Sequence, residues 1–139
     1  MITVRTPFAL STVRPEVSKT LSACVAALRE KKAQNILVID VREWSPMTSY
    51  MIIAEGNVER HVQALAREVV DACQDLEIPQ ARLEGLREGK WVLIDLDEVI
   101  IHLFVPEWRE RYALERMWVD APLIPTKQLL EASTEAQGA

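Results

Sequence analysis

Asp95-Leu96-Asp97-Glu98 places three carboxylates in four successive positions of a 139-residue chain. Oxygen-rich groups of this kind bind Mg²⁺. Nucleotidyl-transferring enzymes use a related device, a small-residue pair at a helix start followed closely by two strand-borne carboxylates. Gly56-Asn57 does precede a helix after a strand pattern, but Asp95 follows Gly56 by 39 residues, and Asp97 falls in a turn. A metal-dependent nucleotide enzyme using Asp95, Asp97 and Glu98 is therefore the alternative reading, not the leading one. The two histidines, His61 and His102, have neither cysteine near them in sequence, so no zinc-type spacing exists. His61 falls on the polar side of a helical pattern and is expected in solvent. His102 is expected as a packed strand histidine, with no nucleophile or orienting carboxylate within reach. The four glycines, at 56, 85, 89 and 138, are too scattered to cradle a phosphate. Catalysis has little to stand on, and neither cofactor nor metal is expected.

The segment Trp91–Phe104 makes a stronger case as a recognition surface. With the tightest hairpin the pattern allows, a two-residue turn at Leu96-Asp97, Asp95 faces Glu98, Leu93 faces Ile100 and Trp91 faces His102. Side chains alternate along a strand. One face is then Val92, Ile94, Val99, Ile101 and Leu103, an aliphatic wall that needs a core. The other carries Trp91, Leu93, Asp95, Glu98, Ile100, His102 and Phe104. Aromatic anchors rimmed by charge are what interface hot spots are made of. The blander expectation is that another element of the same domain covers part of this face, Phe104 first. Like charges opposed at Asp95 and Glu98 argue for water or a cation at the turn end.

Composition narrows the partner. The net charge of −5 disfavours non-specific nucleic-acid binding. Between Glu84 and Glu98, five carboxylates stand against Arg87 and Lys90, a balance of −3. An acidic edge beside apolar residues favours a basic protein. Hydrophobic content of 49% and charged content of 27% are those of a soluble globular domain. No apolar run spans a bilayer, and the first fifteen residues lack the apolar core of a secretory signal. Cys24 and Cys73 lie within apolar helical patterns and are expected as small core residues. A cytoplasmic protein without disulfides is the expectation.

The elements that must position this face follow from periodicity. Pro15 can open a helix at its first turn; Val17, Leu21, Cys24, Val25 and Leu28 mark its apolar stripe. Ile36 to Val41 is short, β-branched and apolar, as suits a central strand buried on both faces. Residues 42–49 read as a loop and Tyr50 to Ala54 as a second strand. Asn57 is suited to capping a helix that runs to Asp75. Arg82 to Glu84 reads as a short strand before the hairpin, and Pro106 opens a helix through Tyr112. Leu114 and Trp118 are expected to close over the sheet. A single α/β domain results, with a mixed sheet of about five strands flanked by helices. Its expected bounds are 15–124, between a flexible arm at 1–14 and a tail at 125–139 with a marginal helical turn at 126–132 and disorder beyond.

These blocks resemble one family. Ala33-Gln-Asn-Ile-Leu-Val-Ile-Asp40, Tyr50-Met-Ile-Ile-Ala54, Gly56, Arg60-His-Val62 and Glu84-Gly85 fit the ribosomal silencing factors, also called RsfS or Iojap-like, in order and spacing. So do Trp91-Val-Leu-Ile-Asp95, Val99-Ile-Ile-His102-Leu-Phe104, Arg109, Tyr112, Leu114-Glu115, Trp118 and Asp120-Ala121. The resemblance covers about residues 17–124. It implies a nucleotidyltransferase-like topology without the catalytic set. It also implies a translational repressor that binds the large ribosomal subunit through ribosomal protein L-fourteen and blocks joining of the small subunit. A homodimer when free and little direct nucleic-acid contact are implied as well. Carried over by position, the partner-binding residues are Trp91, Asp95, His102, Arg109, Tyr112 and Trp118, with Leu93 and Asp97 beside them. The chain departs from the family pattern at Asn35 and Ser49, where Asp is usual, at Val58, where Ser is usual, and at Asp97-Glu98, where Gly-Asp is usual.

Overall fold

Alternation and helical period build the expected elements, with boundaries that local chemistry explains. The computed structural model describes residues 13–78 and 81–131. Helix α1 (Pro15–Glu30) begins at its proline and buries Val17, Leu21, Cys24, Val25 and Leu28. It closes in a Schellman motif: Ala33 N donates to Leu28 O (2.9 Å) and Lys32 N to Arg29 O (3.0 Å). Lys32 takes the left-handed position, φ 63°, where glycine is usual. Strands β1 (Gln34–Asp40) and β2 (Tyr50–Glu55) follow, then α2 (Glu59–Asp75). The remaining elements are β3 (Arg82–Glu84), β4 (Trp91–Asp95), β5 (Val99–Phe104), α3 (Pro106–Tyr112), a 3₁₀ turn at Leu114–Trp118, and a helical stretch at 126–131.

The five strands form one sheet in the order β1-β2-β5-β4-β3. β2 and β5 run parallel and every other neighbouring pair antiparallel. β1 is therefore an edge strand, not the central strand its apolar run suggests. Its burial has another source. Ile39 bridges Leu123, Asp40 N donates to Pro122 O (2.9 Å) and Ile124 N to Val38 O (2.8 Å), so the C-terminal segment covers the edge.

Both sheet faces are covered. Val38, Ile52, Ala54, Val92, Ile94, Ile101 and Leu103 pack beneath α1 and α2. Val13 and Leu129, outside the expected 15–124, belong to the same cluster. Ile39, Val41, Met51, Ile53 and Phe104 form a second, smaller cluster under Leu114, Trp118, Ala121 and Leu123. The segment after α3 thus closes over the sheet as expected of Leu114 and Trp118. Disorder in the arm before residue 13 and in the tail beyond 131 lies outside the described residues. Among those described, no helix is long and apolar enough to cross a membrane.

At the start of α2 the expected cap fails. The N-cap is Val58, which has no side-chain acceptor, and Asn57 does not cap. His61, expected in solvent, instead accepts from the Asn57 amide at Nδ1 (2.9 Å) and meets the Lys31 carbonyl through Nε2 (2.7 Å). That geometry calls for the Nε2–H tautomer, which ties the end of α1 to the start of α2. Gly56 is needed because a Cβ there would come within 2.8 Å of the Val62 backbone.

Candidate protein-docking face

The hairpin that carries the site has a longer turn than the tightest one. Asp95 pairs with Ile100, Leu93 with His102 and Trp91 with Phe104, a register displaced by two residues from the expected one. Two-residue turns of the favoured type need positive φ at both central residues, which Leu96 resists. In the observed turn Leu96 N donates to Val99 O (2.9 Å), and only Asp97 is left-handed, with φ 75°. The Asp95 carboxylate accepts from the Asp97 amide at 2.9 Å and holds that conformation, a local Asx turn.

A shift of two leaves every side chain on its expected face, so the aliphatic wall and the aromatic face survive. The opposition of Asp95 to Glu98 does not, and the argument from like charges falls with it. Glu98 turns away instead, accepting from Ser49 Oγ (2.8 Å) and pairing with Arg14 (2.8 Å). Those two groups hold its carboxyl below the usual range, Ser49 contributing most. Among the described residues no group of three His, Cys, Asp or Glu side chains is arranged to hold a metal. Gly56 N bonds to Phe104 O (2.9 Å), whereas Asp95 pairs with Ile100. Four residues of extended β5, roughly 13 Å, thus separate the helix start from the carboxylates.

Trp91 anchors the face. Its Nε1 donates to His102 Nδ1 at 2.9 Å, and its ring centroid lies 4.9 Å from Phe104 and 5.0 Å from Tyr112. Trp108, one helical turn before Tyr112, completes the cluster at 5.4 Å from it. His102 is only 6% exposed, and burial lowers its pKa to about 4. It is a neutral acceptor that fixes the indole, as expected of a packed strand histidine. Tyr112, 46% exposed, presents the open edge of the cluster.

The predicted residues are not all brought together. Trp91, His102 and Tyr112 form one cluster; Leu93 continues it along β4, half-buried. Asp95 and Asp97 sit at the far end of β4 by the turn. Arg109 is 8% exposed and faces inward. Its guanidinium meets Glu55 (3.3 Å), Glu115 (3.2 Å) and the Asn35 carbonyl, tying α3 to the ends of β1 and β2. Trp118 packs half-buried on the smaller core cluster.

Sequence reasoning missed the groove beside Trp91. Its volume is about 540 Å³, and its walls include Glu84, Glu88, Lys90, Leu93 and Trp108. Lys90 Nζ stands 5.7 Å from the Trp108 ring centroid. The available signal was the i, i+4 spacing of Trp108 and Tyr112, which stacks two rings on one side of α3. The loop shaping the groove is held by Gln63, whose Nε2 donates to the carbonyls of Leu86 and Arg87, each at 3.0 Å. It turns on Gly85 (φ 82°), where a Cβ would collide with the Trp91 carbonyl. What results is an apolar, aromatic surface with acidic groups at its border, suited to a basic protein.

Comparison with known proteins gives a consistent picture. Residues 14–139 match the family described as ribosomal silencing factor during starvation. The chain is 40% identical over 103 residues to ribosomal silencing factor RsfS of Bacillus subtilis, covering 74% of this chain and 87% of that one. It is 34% identical over 97 residues to mouse mitochondrial assembly of ribosomal large subunit protein 1, covering 68% of this chain and 42% of that protein. Among solved structures, a Bacillus halodurans protein superposes with a TM-score of 0.66 at 35% identity, over 75% of this chain and 94% of that one. A Chromobacterium violaceum protein superposes with a TM-score of 0.69 at 28% identity, over 76% and 87%. With its mixed five-stranded sheet, its ordered sequence blocks and these relatives, the chain belongs to the ribosomal silencing factor family.

Proposed function

We propose that this ribosomal silencing factor represses translation by docking on the large ribosomal subunit and holding the small subunit off. The partner is a basic protein at the surface where the subunits meet, ribosomal protein L-fourteen by resemblance to the family. The observation that carries this reading is the aromatic surface of Trp91, Trp108 and Tyr112, left open beside an acid-bordered groove while the rest of that sheet face is covered. Trp91, Leu93 and Tyr112 make the central contact, and Asp95 and Asp97 meet basic groups at the rim. His102, Arg109 and Trp118 serve by fixing the rings and the covering segment. The name of the mouse relative, which places that protein in large-subunit assembly, supports the same subunit. By resemblance to the family, the free protein is expected in the cytoplasm as a homodimer, read by sedimentation equilibrium.

Purified protein should co-sediment with free large subunits, be absent from joined ribosomes, and slow subunit joining followed by light scattering. Tyr112→Ala, at an exposed site, should weaken subunit binding by roughly 1–2 kcal/mol, and Trp91→Ala by roughly 2–4 kcal/mol. Wild-type co-sedimentation of both variants would remove this face from the reading.

A further inference from the structure

The two edges of the sheet are treated differently. The C-terminal segment covers β1, whereas among the described residues no strand or bridge pairs with the outer side of β3. Arg82, Leu83 and Glu84 are all exposed. An open edge of this kind is a template for any strand that its side chains tolerate. Leu83 lies opposite Ile94 on β4, so it shares the sheet face beneath α1 and α2. Beside it a hollow of about 200 Å³ is walled by Ala66, Arg67, Val70, Asp71 and Leu86. Arg82 and Glu84 alternate to the opposite face, that of Trp91. Asp95, across β4 from Arg82, accepts from the Asp97 amide instead. Arg67, Asp71, Arg82 and Glu84 have no ion-pair partner among the described residues.

The order of these charges decides what the edge can accept. Arg82 and Glu84 flank Leu83 with opposite sign. A second β3 laid antiparallel and centred on Leu83 sets each Arg82 opposite the other copy's Glu84, which is attractive. A parallel copy in register would set like charge on like charge. We propose that β3 is a self-association edge, at which two copies of this chain pair their β3 strands and continue one sheet across a twofold axis. This assigns a surface to the homodimer expected above and rests on that expectation, but not on the docking face. A twofold axis normal to the sheet keeps both α2 helices on one side and sets them antiparallel. Arg67 and Asp71, one turn apart beside Leu83, then face Asp71 and Arg67 of the other copy. Leu83 and Val70 supply the apolar centre. The contact is isologous, since each residue that meets a second is met by it in return. Three residues per strand give a short ladder, so the charge pairs matter and added salt loosens the dimer.

The test is sedimentation equilibrium of the full-length chain at fixed salt. The wild type should reach a dimer, and Leu83→Asp, at an exposed site, should lose it. Arg82→Glu and Glu84→Arg each set like charges opposite one another and should weaken self-association about tenfold or more. Mixed in equal amounts, these two single variants should recover a dimer holding one chain of each, identified by native mass spectrometry. The double variant Arg82→Glu/Glu84→Arg should recover a homodimer. Such recovery reads the order of charges across the axis and does not follow from a change in the fold of one chain. Loss in both single variants without recovery in the mixture would overturn the antiparallel pairing. A dimer that Leu83→Asp and both reversals leave intact would overturn this edge and place the homodimer contact elsewhere. A wild type that stays monomeric would overturn the edge and the homodimer together, leaving β3 to a strand of another protein. Subunit docking is read separately, by co-sedimentation.

Discussion

Trp91 and His102 work as one unit, because the indole N–H is satisfied by a ring nitrogen that must stay unprotonated to accept it. Burial holds the His102 pKa at about 4, below its ordinary 6.5. As pH falls below 6.5 the unfolded chain takes up a proton that the folded chain refuses until about pH 4. Stability from this group is thus complete above 6.5 and is lost through that window, by up to about 3 kcal/mol. Urea midpoints between pH 7 and 4.5 should drop more steeply for the wild type than for His102→Gln, whose carbonyl still accepts from Trp91. Parallel pH profiles would show that His102 carries no such linkage. The histidine was legible in the sequence as a packed residue. Its place beside Trp91 was legible too; the indole-to-imidazole hydrogen bond was not, because in the observed register the two are diagonal neighbours and the bond depends on how each ring is turned.

At the scale of elements, the helix ends are where local preference and tertiary demand diverge. α2 begins at Val58 with no side-chain cap, and His61 reaches back instead to the Asn57 amide. Val58→Ser supplies an acceptor for the first-turn amides and should raise stability by about 1 kcal/mol, read as a higher urea midpoint with unchanged slope. α1 and α2 both close with a left-handed residue that is not glycine, Lys32 (φ 63°) and Glu77 (φ 56°). Glu77→Gly should stabilise by about 0.5–1 kcal/mol if relief of backbone strain outweighs the added freedom of the unfolded chain. Gly85→Ala should do the reverse, since its Cβ would strike the Trp91 carbonyl, and should loosen the groove as well. A Gly85→Ala variant with native stability and subunit binding would contradict that account. The strands and helices themselves were readable, because periods of 2 and 3.6 mark them directly. Caps and turns were less so, since each depends on a few hydrogen bonds that several nearby residues could make.

At the scale of the whole molecule, the C-terminal segment decides which surfaces are covered. It pairs with the β1 edge at Leu123, covers Phe104 with Leu114, Trp118 and Ala121, and inserts Leu129 into the main core. Truncation after Ala121 should bare that edge and remove Leu129, with aggregation measured by sedimentation velocity at concentrations where the intact chain stays in its free-state species. An unchanged sedimentation profile would show that the edge is protected by something else. The sequence by itself determined the strand and helix content, the two faces of the hairpin and the family, because side-chain alternation and ordered local blocks are properties of the chain alone. Tertiary structure decided that β1 lies at an edge, that Arg109 turns inward to Glu55 and Glu115, and that Glu98 leaves Asp95 for Arg14 and Ser49. It also set the groove of Glu84, Glu88 and Trp108 beside Trp91. The physical reason is the same in each case. Edge position, burial of a charge and the meeting of two loops depend on contacts between residues distant in the chain, and no local period records them.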